Sequence, residues 1–103
     1  AQVRAEVLRR AEASLKLAAI CAAPSILAEL GVLEGRRATA NPGFMDALSA
    51  GGAQAQPECV VADGNIVTSR GAGTALELGL ELVRQLLGDE AAQQVRESIV
   101  WQH

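Results

Sequence analysis

A short apolar run stops abruptly at a cysteine: residues 15–20 read Leu, Lys, Leu, Ala, Ala, Ile, and Cys21, Ala22, Ala23 and Pro24 follow. The run suits a buried parallel strand. Pro24 suits the first turn of a helix, where its missing N–H costs nothing. Cys21 is therefore expected on a sharp strand-to-helix turn with its sulfur exposed at the top of a sheet. That is the geometry of a nucleophile elbow, with cysteine in place of serine. The helix N-terminus beneath it favours thiolate over thiol. The small side chains of Ala22 and Ala23 leave the sulfur approachable, and their N–H groups are candidates to stabilise an oxyanion. The competing reading is a structural cysteine buried as a small core hydrophobe.

Three other places carry polar chemistry. Arg70, Gly71, Ala72, Gly73 and Thr74 lie between an expected strand and an expected helix. Their glycines and the helix N-terminus could cradle an anion, although the Lys-Ser/Thr of a phosphate-binding loop is missing. The plainer alternative is a tight turn with Arg70 in a surface ion pair. Asn41 stands before Pro42, a routine turn pair; its amide can orient a carbonyl or a water but cannot act as a general base near neutral pH. Cys59 opens a Val-rich stretch and is expected to pack there; a redox partnership with Cys21 requires Cα atoms within about 7 Å. The single histidine, His103, is the last residue and is expected to be a terminal group without a catalytic role. No Cys/His/acid cluster has metal-ligand spacing, so no metal site is expected.

Several elements must position these groups. Residues 1–14 place Val3, Val7, Leu8 and Ala11 at helical spacing. A strand over 15–20 leads to a helix over 24–30, stopped by Gly31. A short strand over 37–40 precedes the turn Asn41-Pro42-Gly43, and 44–50 forms one or two helical turns ending at Gly51-Gly52. Strands over 59–62 and 66–69 are joined at Asp63-Gly64-Asn65, a strong hairpin signal. Thr74 and Glu77 have capping-box spacing at the head of a helix running to about Leu87, with Leu76, Leu80, Val83 and Leu87 on one stripe. Gly88 ends it, and Asp89 is expected to cap a last helix through about Ile99.

Composition narrows the function classes. A chain of 103 residues makes at most one domain. Half its residues are hydrophobic and only 2% aromatic, which suits tightly packed α/β layers and argues against an aromatic binding groove. The net charge of −3 with interspersed signs is no footprint for nucleic acid. No apolar run approaches the ~20 residues of a membrane span. Two cysteines make no disulfide framework, so a reduced, cytoplasmic setting is the default. One good central strand and a few short ones cannot complete a sheet covered on both faces, and the chain reads as incomplete.

The segments Ala19-Ile20-Cys21-Ala22-Ala23-Pro24, Gly35-Arg36-Arg37-Ala38-Thr39, Asn41-Pro42, Gly51-Gly52, Asp63-Gly64-Asn65 and Thr68-Ser69-Arg70-Gly71-Ala72-Gly73-Thr74-Ala75, in this order, resemble the C-terminal half of the ThiJ/PfpI family, also called the DJ-one superfamily. The resemblance implies a flavodoxin-like three-layer α/β sandwich, incomplete here, whose N-terminal strands and helices would precede Ala1. It implies a reactive, oxidisable cysteine at Cys21, a pocket including Asn41, Pro42, Arg70 and Gly71, and cofactor-independent glyoxalase or deglycase chemistry on α-oxoaldehydes or their adducts. In that pocket Arg70 would attract a carboxylate or phosphate. The alternative within the resemblance is a non-enzymatic redox sensor or stress chaperone. A homodimer, a small carbonyl substrate, and a partner glutamate from the N-terminal half are implied likewise; no residue here matches that glutamate, and Glu29 reads as a solvated helix residue. Many family members carry histidine where Asn41 stands, which weighs against any mechanism built on a Cys–His pair; the family often has proline where Ala72 stands, so this loop is expected to be less rigid here.

Overall fold

The computed structural model describes residues 2–101. His103 lies outside them. Helix α1 (Gln2–Glu12) leads to strand β1 (Leu17–Ile20) and helix α2 (Ala23–Glu29). Strand β2 (Arg37–Ala38), a 3-10 turn over Pro42–Phe44, helix α3 (Met45–Ala50) and strand β3 (Gln54–Ala55) come next. Strands β4 (Val60–Asp63) and β5 (Ile66–Ser69), a second 3-10 turn over Ala72–Thr74, and helices α4 (Ala75–Leu87) and α5 (Asp89–Ser98) complete the order. The fold is α/β with mixed sheets, as the composition and the resemblance implied.

The main sheet has the order β1-β5-β4, with β1 parallel and β4 antiparallel to β5. A smaller parallel sheet pairs β2 with β3. Strand β5 is buried along its whole length, and its side chains alternate between two faces. Ile66 joins Leu17, Leu27, Ala28, Leu33 and Leu48 in the core under α2 and α3. Thr68 faces the same way and accepts the Thr39 backbone N–H at 2.9 Å, tying the chain after β2 to the main sheet. On the other face, the Ser69 hydroxyl lies 2.6 Å from the Thr74 hydroxyl at the head of α4. Helices therefore cover both faces of β5, which makes it the middle layer.

The hairpin between β4 and β5 closes on Gly64 and Asn65, since Asp63 already pairs with Ile66. Gly64 has φ +61°, and Asn65 keeps a negative φ. Positive φ at the first central residue alone is the type II′ pattern that matches strand twist. Gly31, just past α2, has φ +78°, the left-handed stop expected there.

Several boundaries differ from the sequence reading. The first helix ends at Glu12, and Ser14 turns at φ +55°; β1 consequently begins at Leu17. Strand β2 has two residues, because Thr39 and Ala40 bond across to a side chain and to Arg70 and leave the β2–β3 ladder. The capping box at Thr74 does not form. Thr74 is the N-cap residue of α4 but makes no side-chain cap; its hydroxyl is drawn back to Ser69 and Gly71. Asp89 is the first residue of α5, behind the N-cap Gly88, so it caps nothing.

Close approach of α3 to α2 depends on Gly51. A Cβ built there would sit 2.7 Å from the Ala28 carbonyl oxygen and 2.8 Å from the Ala28 Cβ. Both are held by a buried helix and cannot swing away. Gly51→Ala is expected to destabilise the protein by about 1–3 kcal/mol, the usual cost of overpacking. Chemical denaturation of the full polypeptide that carries this chain checks it; an unchanged midpoint would show that α2 and α3 separate freely.

Candidate active site

Cys21 leaves β1 on a single left-handed residue, with φ +66°. An L-residue rarely adopts this region, and it costs about 1–2 kcal/mol. Two hydrogen bonds hold it. The Cys21 N–H donates to Ser69 O at 3.0 Å, extending the β1–β5 ladder, and its carbonyl accepts from the Asn41 N–H at 2.8 Å. The side chain is exposed. Among the described residues Cys21 does not pack in the core, and the strand-to-helix turn expected from sequence is present.

Helix α2 starts immediately beyond. Its N-cap is Ala22, with φ −85° and ψ −20°, and Pro24 occupies its first turn, buried. Cys21 thus lies one residue before the cap. The N–H groups of Ala22 and Ala23 sit at the helix head, where no intrahelical acceptor exists, beside the sulfur-bearing residue. The Ala22 carbonyl is taken by the Ser25 N–H at 3.0 Å and the Ser25 hydroxyl at 2.6 Å, which fixes the Ala22–Ala23 peptide and with it the Ala23 N–H.

The segment before α3 comes to the same place. Asn41 uses its side-chain oxygen locally, accepting from the Gly43 N–H at 3.1 Å to open the 3-10 turn that starts at the exposed Pro42. Its amide nitrogen faces Gly71, where a Cβ would lie 3.9 Å away. Arg70 forms no ion pair with a carboxylate among the described residues. Its Nε donates to Ala40 O at 3.1 Å and its guanidinium NH1 to Pro57 O at 3.2 Å. In place of the surface ion pair of the alternative reading, Arg70 braces two backbone segments.

The loop from Arg70 to Thr74 is filled from within. The Thr74 hydroxyl accepts from the Arg70 N–H at 3.2 Å and the Gly71 N–H at 3.0 Å, and it lies 3.0 Å from Gly71 O. Both amides at the start of the expected anion cradle are satisfied by this one side chain. Cys21, Asn41, Arg70 and Gly71 nevertheless converge at one end of the main sheet, linked by the contacts above. Ser69 and Thr74 were not singled out as site residues in the sequence. The density of hydroxyl groups flanking Gly71 and Gly73 was the available signal.

Cys59 does not pack. It is exposed, one residue before β4. Ile20 and Val60 both pair with Ser69, so Cys21 and Cys59 flank Arg70 from opposite sides. Two inter-strand spacings separate them, about 10 Å, which is beyond the reach of a disulfide. Glu29 is exposed on α2, and the described residues place no carboxylate in hydrogen-bond contact with the Cys21 elbow. No group of three or more His, Cys, Asp or Glu among them could hold a metal ion. No described helix is long and apolar enough to cross a membrane.

Comparison with known proteins gives this arrangement a context. Residues 2–85 match the DJ-1/PfpI family. Protein DJ-1alpha of Drosophila melanogaster is 40% identical over 85 residues, covering 82% of this chain and 39% of its own length. The Parkinson disease protein 7 homolog of Danio rerio is 41% identical over 97 residues, 92% of this chain and 51% of its own. Among solved structures, oxidized Toxoplasma gondii DJ-1 superposes with a TM-score of 0.90 at 31% identity, covering 100% of this chain and 55% of that one. The chain spans about half the length of these relatives, or less.

Proposed function

Because the chain belongs to the DJ-1/PfpI family, we propose that the polypeptide carrying it is a cofactor-independent enzyme that acts through Cys21 on small α-oxoaldehydes or their protein adducts. The observation that carries this reading is the exposed thiol on a left-handed elbow, at φ +66°. Cysteine placed there presents its sulfur with little side-chain hindrance from Ala22 and Ala23.

The Cys21 thiolate adds to the aldehyde carbon; a C–S bond forms, and the carbonyl π pair moves to oxygen. The N–H groups of Ala22 and Ala23 stabilise that oxyanion, which takes a proton to give a hemithioacetal. A base then moves the proton from C1 to C2, leaving a thioester, and water releases the 2-hydroxy acid and the thiol. The net change is aldehyde plus water to hydroxy acid. We assign the base to a carboxylate outside the described residues, supplied by a complementary N-terminal half of the domain, with a homodimer as the working assembly.

A second reading is favoured by one feature. The Asn41 amide oxygen accepts from Gly43 N–H, and an amide cannot act as a base near neutral pH, so this position offers no proton carrier. A thiol without a proton carrier is oxidised without turnover, as in a redox sensor or stress chaperone. Methylglyoxal consumption by the full polypeptide separates the two. Turnover to lactate is expected; its absence, together with stoichiometric oxidation of Cys21 by peroxide, would establish the second reading instead.

A further inference from the structure

We infer that Arg70 is a positioning residue that holds the Cys21 elbow through the Ala40–Asn41 peptide. The proposal rests on the reading of Cys21 as the reactive nucleophile. Arg70 Nε donates to Ala40 O at 3.1 Å, and the Asn41 N–H donates to Cys21 O at 2.8 Å. That carbonyl and that N–H belong to the same peptide unit. One planar group is thus clamped between a guanidinium and the carbonyl of the strained cysteine, and its rigidity transmits the position of one end to the other.

The rest of the local structure serves the same clamp. The Arg70 backbone is fixed, its N–H donating to Thr74 Oγ1 at 3.2 Å and to Cys59 O at 3.2 Å, so the side chain extends from an anchored base. Its second arm, on Pro57 O at 3.2 Å, prevents the guanidinium from pivoting away. Pro42 restricts Asn41 to extended backbone, observed at φ −54° and ψ 139°. Ala40 is 0% exposed, so with Arg70 in place no bulk water competes for its carbonyl. A charged donor makes a stronger hydrogen bond than a neutral one. By polarising the peptide it also improves the Asn41 N–H as a donor to Cys21. A left-handed cysteine turns its carbonyl off the strand line, and Asn41 supplies the acceptor's partner there. Without that partner the residue relaxes toward ordinary strand geometry, and the sulfur leaves the exposed position.

The guanidinium thus acts on the sulfur by geometry, and charge alone does not substitute for it. The test is alkylation of each cysteine by the neutral reagent iodoacetamide, read by peptide mass in the full polypeptide. Arg70→Ala is expected to slow Cys21 about tenfold, the size of one lost hydrogen bond to a charged donor. Cys59, whose carbonyl is held by Arg70's backbone and by Ser69, should keep its rate. Millimolar guanidinium ion is expected to restore most of the Cys21 rate, and Arg70→Lys, which keeps the charge but cannot span both carbonyls, only part of it. A wild-type Cys21 rate in Arg70→Ala overturns the inference. So does full repair by lysine with no rescue by guanidinium, which is the signature of charge alone. If Arg70→Ala does not fold, Arg70→Lys carries the test, and a wild-type Cys21 rate in that variant overturns the clamp. Methylglyoxal turnover by the unsubstituted protein is measured separately: its absence removes the proposed reaction but leaves the alkylation result to judge the clamp.

Discussion

Cys21→Ser is expected to lower α-oxoaldehyde turnover by about a thousandfold or more, the range seen when a covalent nucleophile is lost. Cys59→Ser is expected to leave it within about twofold, as ordinary exposed substitutions do. The contrast follows from position. Both thiols are exposed and both border Arg70. Only Cys21 stands at φ +66° with the head of α2 directly after it. Cys59 precedes an ordinary antiparallel strand and has no helix amides beside it. Serine at 21 preserves size and elbow but replaces a polarisable sulfur by a hydroxyl that, without an adjacent base, scarcely ionises at neutral pH. The assay is methylglyoxal consumption by the full polypeptide and the two variants, with circular dichroism to confirm the fold. Full activity in Cys21→Ser would rule out covalent catalysis at this residue.

The isolated 103-residue chain is expected to self-associate and to lack a single cooperative melting transition. Strand β1 is an edge of the main sheet among the described residues. Its four residues are Leu, Ala, Ala and Ile, with no charge or proline to protect the open side. Large apolar side chains are exposed on several elements: Val3 at 78%, Leu86 at 67%, Leu87 at 73% and Val100 at 70%. Helix α1 buries no residue fully; Val7 and Ala11 only touch the core. Sedimentation velocity and thermal melting decide it. A soluble monomer that unfolds cooperatively would falsify the expectation and show that these surfaces need no cover.

The parts of this molecule that were legible in its sequence are those encoded locally. The elbow was readable because a strand, a cysteine, two alanines and a proline specify it within ten residues. The hairpin was readable for the same reason, since Gly64 and Asn65 dictate the turn themselves. Strand β3 was not, because Gln54 and Ala55 carry no alternation and their parallel pairing with β2 is non-local, made only after the chain crosses over through α3. The exposure of Cys59 was hidden by its Val-rich neighbours, which suggested a strand that in fact starts one residue later. Thr74 misled through competition: its hydroxyl could cap α4 or knit the preceding loop, and Ser69 and Gly71, brought close by the sheet, won. The role of Arg70 was beyond local reading altogether, since its acceptor at Ala40 is thirty residues away in sequence.

The conformation of residue 21 says something about why a cysteine is there. By backbone criteria alone the position asks for glycine, which adopts a positive φ at no steric cost. A side chain that strains the chain and adds no buried contact is a net loss to the folded state. Glycine at 21 would relieve that strain, a gain of the kind natural proteins commonly leave unused. At Cys21 the chain carries a side chain that its backbone conformation disfavours, and under the proposed function that strain is what holds the reactive sulfur in place.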